Sequence, residues 1–212
     1  MASDLTIRLA TRDDLIGMAE VFLAAFPDSV RHVAGDTNPS PLAMADAFAI
    51  PLDAEPEAAR VAIRGECIVG YCLSPAHFSR LRSVAVWRGH LCRLAWRWLT
   101  GRYHVGLRPL TVLARDQWIA WRERRSDPFA CEAHILSIAV HPDSHGQGVG
   151  GRLLAEGLAY LQGRGVRRVR LEVRPGNAPA LRLYEKFGFL PAGRTRDSQD
   201  DWLIMLKEFA DG

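Results

Sequence analysis

The sequence predicts a mixed α/β fold, α+β in character, with a central mixed sheet flanked by helices. Three observations carry this reading. An alternating apolar strand opens the chain; a buried-type run at 132–140 leads through a glycine-rich junction into an apolar-faced helix; and a pair of strand-like runs closes the chain. The 212 residues, 48% hydrophobic and 24% charged, match an ordinary globular composition rather than a disordered or membrane-spanning one. One domain spanning 1–212 is expected at this length, with an insertion at about 76–129.

Taken in order, Leu5 to Leu9 alternates as a half-buried strand, and Thr11-Arg12-Asp13-Asp14 supplies an N-cap and an acidic first turn. The helix that follows groups Leu15, Met18, Ala19, Val21 and Phe22. A second helix is expected over Pro41 to Ala49, after the turn-rich DTNPSP stretch. The runs Ala59 to Ile63 and Cys67 to Ser74 lie close enough, across Arg64-Gly65-Glu66, to form a hairpin.

From Ser79 to Arg125 the composition changes, with eleven arginines against Asp116 and Glu123, and five of the six tryptophans. Val84, Trp87, Leu91, Leu94 and Trp98 recur at helical spacing while Arg93 and Arg97 fall elsewhere, so an amphipathic helix is expected, with a second over Leu110 to Arg124. Then come a strand over Glu132 to Val140, a helix over Gly148 to Gly163, and a strand over Arg168 to Val173. A short helix with Pro179 in its first turn follows, and strands over Phe189 to Arg194 and Trp202 to Lys207 close the chain.

A net charge of +3 is too small to name a partner. Cys67, Cys72, Cys92 and Cys131 form no CxxC pair and no zinc-type spacing with histidine, so reduced, packing cysteines and no bound metal are expected. MASDLTIRLA lacks the apolar run of a signal peptide, and no uncharged stretch reaches membrane-spanning length, so a cytoplasmic protein is expected.

The chemistry concentrates in HPDSHGQGVGGRLL, 141–154. Glycines before a helix let backbone N–H groups approach a ligand, and the helix N-terminus favours negative charge, so phosphate is the expected guest. A Walker-type loop needs Lys-Ser/Thr after its last glycine, whereas Gly151-Arg152 stands here. Gly146, Gly148 and Gly151 satisfy the dinucleotide pattern GxGxxG, with Glu172 near the place of its ribose-binding acid, but five residues separate Val140 from Gly146 where that fold turns almost at once.

Together, ILSIAV, HPDSHGQGVGGRLL and NAPALRLYEKFGF resemble the GNAT superfamily of acetyl-CoA-dependent N-acetyltransferases, strongly over about residues 131–207. In that family a loop of pattern Q/R-x-x-G-x-G/A holds the pyrophosphate of coenzyme A. Gly148 and Gly150 match, and His145 replaces the usual Gln or Arg. The resemblance implies acetyl-CoA as co-substrate. It implies that Ile138, Ala139 and Val140 meet the acyl carbonyl and pantetheine through their backbone, and that His145, Gly146, Gln147, Gly148, Val149, Gly150 and Gly151 hold the phosphates, with Asn177 a further contact. It also implies that Tyr184 donates a proton to the departing thiolate, against a bland reading as a half-buried helix aromatic.

For the base, Glu132 is favoured and His134 is its rival: two residues apart, a strand would aim both at one face. Structural packing or surface exposure competes with catalysis for each. Cys131 alone does not argue for a covalent acyl-enzyme. The expected reaction moves an acetyl group directly to a primary amine of a small molecule or protein. For the Arg/Trp insertion, a cover or homodimer surface leads, ahead of an acceptor-pocket wall or a nucleic-acid or anionic-membrane surface. A binding protein whose core merely senses CoA is the alternative function.

Overall fold

A computed structural model describes residues 4–35, 39–104, 129, 131–197, 199 and 201–209. Strands β1 (Leu5–Leu9), β2 (Ala59–Arg64), β3 (Cys67–Leu73), β4 (Ala133–His134), β5 (Ser137–Val140), β6 (Arg168–Val173), β7 (Leu190–Arg196) and β8 (Asp201–Glu208) fall into two four-stranded sheets. The first, ordered β1-β2-β3-β5, is antiparallel throughout. The second, ordered β4-β6-β8-β7, is mixed, because β4 runs parallel to β6.

Two apolar cores separate the helices. Helices α1 (Leu15–Ala25), α2 (Pro27–Ala34) and α3 (Pro41–Ala54) precede β2. Met18, Val21, Phe48 and Leu52 from α1 and α3 pack on Val61, Tyr71, Leu73 and Ala139 of the first sheet. Helices α4 (Phe78–Trp87) and α5 (His90–Leu99) follow β3, whereas α6 (Val149–Gly163) and α7 (Ala178–Lys186) flank β6. The second core joins Leu153, Leu154, Leu158 and Leu161 of α6 to Val169, Leu171 and Val173 of β6. Each such buried side chain contributes roughly 1.5–3 kcal/mol.

Helix α6 sits close to β3 because residue 157 is glycine: a Cβ there would lie 3.1 Å from Ser74 Oγ and 3.2 Å from Cys72 Sγ. That contact sets where the N-terminus of α6 emerges beside β5.

The Arg/Trp-rich segment departs from its sequence pattern. One amphipathic helix is expected through Val84 to Trp98; Gly89, at φ 70°, instead breaks it into α4 and α5. In α5 the expected apolar set divides, with Leu94 and Trp98 half-buried beside Arg93 and Arg97 and Leu91 exposed. Arg97 donates twice to Asp46, at 2.9 and 2.8 Å, and the Tyr103 hydroxyl donates to the same carboxylate at 2.7 Å. His90 Nε2 lies 3.0 Å from Asp53 Oδ2, and Arg12 donates to that carboxylate at 2.6 Å. Leu91 and Trp96 face outward.

The physical cause lies in α3. Its two inward carboxylates would be costly to bury without cationic partners, and α5 provides them. The helix expected over Leu110 to Arg124 lies outside the described residues. Helix α2 was not foreseen from the sequence, and α3 continues past the expected Ala49 with Pro51 inside it.

Candidate active site

The run expected as one strand, Glu132 to Val140, divides in two. Ile135 N–H donates to Arg170 O at 2.9 Å, on the second sheet, while Leu136 N–H donates to Leu73 O at 2.8 Å, on the first. Register also pairs Ser137 with Leu73, so two consecutive residues oppose one, a β-bulge that re-aims the strand. From this fork β5 follows β3 and β6 follows β8, leaving a gap between β5 and β6.

The gap exposes backbone groups. His141 N–H donates to Val69 O at 2.9 Å, which fixes the ladder phase: 69 with 141 and 71 with 139 are the hydrogen-bonded pairs. The N–H and C=O groups of Ile138 and Val140 therefore point away from β3, into the gap. Those of Ala139 are spent on the ladder.

The glycine loop closes the outer end. His141 to His145 is filled by a short 3-10 turn, Pro142–Ser144, with Asp143 N–H donating to His141 Nδ1 at 3.3 Å. His145 Nε2 lies 2.9 Å from Val140 O, and Gln147 Nε2 donates to Asp143 O at 3.1 Å. Gly148 is the N-cap of α6 with φ 76°, a left-handed conformation that favours glycine. The first intrahelical donor is Arg152, bonded to Gly148 O at 3.1 Å. The amides of Val149, Gly150 and Gly151 thus point outward from a helix end with no side-chain cap and no acidic first-turn residue. These donors, and open space beside Gly148, fit a diphosphate; the gap fits an extended arm with amide groups.

Glu132 lies just before β4 rather than in it. It is exposed, and its Oε2 accepts from Ser79 Oγ at 2.9 Å. His134, in β4, stands in register with Arg170 of β6, with its ring 4.7 Å from the Phe78 ring and its Nδ1 3.4 Å from Glu132 O. Burial pushes its pKa below the ordinary histidine value.

Arg170 Nη2 donates to Glu172 Oε1 at 2.7 Å. The last rung between 131–136 and β6 is at Arg170, so Glu172 is the first residue on that face of β6 beyond the fork. It is exposed between buried Leu171 and Val173. The alternation of RVRLEV could have revealed it, since Arg170 and Glu172 are the charged positions between buried apolar ones. In the sequence alone Glu172 stands only near the place of a dinucleotide fold's ribose-binding acid.

Tyr184 is buried in α7, edge-on to Phe189 at 5.9 Å, and burial, with the Cys72 thiol nearby, pushes its hydroxyl pKa well up. Asn177 Oδ1 accepts from Ala180 N–H at 3.2 Å, capping α7 and leaving its amide N–H groups for other partners. Burial also raises the Cys131 thiol, which disfavours the thiolate a covalent route would need.

A split strand beside an uncapped, glycine-opened helix end offers unpaired backbone donors to an extended, anionic ligand. The acetyltransferase (GNAT) family profile matches residues 28–189, and the chain belongs to that family. It is 42% identical over 80 residues to the [ribosomal protein bS18]-alanine N-acetyltransferase of Escherichia coli K12, covering 35% of this chain and 54% of that protein. It is 44% identical over 82 residues to the mycothiol acetyltransferase of Salinispora arenicola, covering 38% of this chain and 26% of that protein. The chain thus spans about half or less of the curated relatives it matches. The structure of yncA from Salmonella typhimurium, solved with acetyl-CoA, superposes with a TM-score of 0.57 at 14% identity, over 98% of this chain and 95% of that one.

Proposed function

We propose that the protein transfers an acetyl group from acetyl-CoA directly to a primary amine. The observation that carries this reading is the fork at Ile135 and Leu136, which turns the backbone of Ile138 and Val140 toward a gap ending at the amides of Val149 to Gly151. Acetyl-CoA supplies an electrophilic thioester carbonyl. The backbone N–H groups in the gap orient that carbonyl and its pantetheine arm, and the helix end holds the diphosphate.

In the reaction the N–C bond forms, the C–S bond breaks, the amine loses a proton and the thiolate gains one. Tyr184, whose raised pKa keeps its proton in place until it is needed, is the donor to the thiolate. The amine's proton goes to the group formed by His134 and Glu172 at the fork, directly or through water. Their shared face of the second sheet and the neutral state favoured for His134 support this assignment. Glu132, tied to Ser79, lies at the outer edge of the same group. The acceptor is a small-molecule amine or a protein amine. The curated relatives' names point to both kinds.

The test is acetyl-CoA binding by the wild type and by Gly148→Glu, with release of free CoA over a panel of amines. A carboxylate at a positive-φ N-cap, beside the expected diphosphate, should weaken binding by about a hundredfold or more. Unchanged binding overturns the site, and no CoA release with any amine overturns the activity.

A further inference from the structure

We propose that the outer face of α4 and α5 docks on an anionic phospholipid bilayer. The case begins with the exposed apolar arc of α5. Leu91, Cys92, Ala95, Trp96 and Leu99 are all exposed and, at 3.6 residues per turn, share one arc; no polar residue interrupts it. Leu91, Trp96 and Leu99 are 50%, 68% and 74% exposed.

This orientation is held from beneath. Arg93 and Arg97 reach Asp46, at 3.4 and 2.8 Å, and His90 and Arg88 reach Asp53, at 3.0 and 3.8 Å. Turning the apolar arc inward would leave both buried carboxylates without these partners. The arc therefore stays outward, where water makes it costly unless something covers it.

Helix α4 extends the face and gives it charge. Val86 and Trp87 are exposed there, with Arg80 and Arg82 on the same side, and no Asp or Glu occurs anywhere from 78 to 104. Among the described residues neither Arg80 nor Arg82 meets an acidic partner. Tryptophan and leucine on an arc flanked by uncompensated arginines is the composition of a helix pair lying in a bilayer interface. Apolar side chains enter the acyl boundary, tryptophans sit at headgroup depth, and arginines meet lipid phosphates.

The same charges argue against a second copy on this face, since a two-fold contact would bring together two faces that carry arginines and, over 78–104, no Asp or Glu. A nucleic acid would satisfy the arginines but leave Leu91 and Leu99 without partners, because bases stack on aromatic faces.

The test is flotation of the full chain with phosphatidylcholine vesicles and with vesicles in which about one quarter of the lipid is phosphatidylglycerol. The wild type should partition onto the anionic vesicles about tenfold or more better than onto the neutral ones. Both a Trp96→Ser, Leu99→Ser double variant and Arg82→Glu should lose about tenfold of that binding while retaining acetyl-CoA-induced thermal stabilisation, since these side chains are outside the core. Gly148→Glu should float as the wild type does, so the docking and acetyl-CoA readings fail separately. The proposal is overturned if the wild type does not float with anionic vesicles, or if the double variant and Arg82→Glu float undiminished. It is equally overturned if light scattering shows a dimer that the double variant turns into monomer.

Discussion

His145 Nε2 lies 2.9 Å from the carbonyl oxygen of Val140, so the imidazole ties the glycine loop to the last residue of β5. Oriented this way the ring donates, and it occupies the carbonyl that would otherwise compete for donors in the gap. His145→Ala should weaken acetyl-CoA binding by roughly three- to tenfold, the range of one lost hydrogen bond. His145→Gln, which can still donate, should recover most of it. Isothermal titration with acetyl-CoA distinguishes the two, and equal affinity of wild type and His145→Ala would remove the tether's role.

The proton acceptor at the fork is read from a pH profile. Burial lowers the pKa of His134 from its ordinary 6.5. If His134 takes the amine's proton, the acid limb of kcat/KM should have its midpoint below 6.5 and disappear in His134→Gln. Glu172→Gln should lower kcat by about a hundredfold with little change in acetyl-CoA affinity, and Glu132→Gln by much less. A larger loss in Glu132→Gln than in Glu172→Gln would reverse the assignment. The same shift predicts stability: with the folded pKa below the unfolded one, the unfolded chain binds more protons between the two. Melting temperature should therefore rise with pH up to about 6.5, fall as pH drops through the folded value, and lose that component in His134→Phe.

Tyr184→Phe removes only a hydroxyl from a buried ring in contact with Phe189. Turnover should fall by about two orders of magnitude while acetyl-CoA still raises the melting temperature. Thioester analogues with better leaving groups should be less affected, because their thiolates need protonation less. An equal loss with every leaving group would mark Tyr184 as packing.

Asp46 holds α5 through Arg97, Arg93 and the Tyr103 hydroxyl. Asp46→Ala leaves these groups facing a vacated, largely buried position and should cost about 3–5 kcal/mol by denaturant unfolding. Arg97→Ala should cost less, since Arg93 and Tyr103 remain. Comparable costs would show that the carboxylate is not the centre of the cluster.

Much of the fold could be read from local pattern. Alternation located β1 and β6, strand-like apolar runs located β2, β3, β7 and β8 within a few residues, and the glycines before Leu153 and Leu154 located the start of α6, because such signals depend only on neighbours in the chain. The proposal of an anion site at the loop rests on the same stretch. What the sequence could not show was decided by partners far along the chain. Ile135 and Leu136 are adjacent, yet one bonds to Arg170 and the other to Leu73, and that divergence opens the gap. Glu172 joins His134 only because β4 and β6 lie side by side. In α5 the period of 3.6 grouped Leu91 with Leu94 and Trp98, but Asp46 and Asp53 draw Arg93 and Arg97 inward, so Leu94 and Trp98 are half-buried with them while Leu91 is exposed: buried carboxylates require charged partners more strongly than exposed leucines require cover.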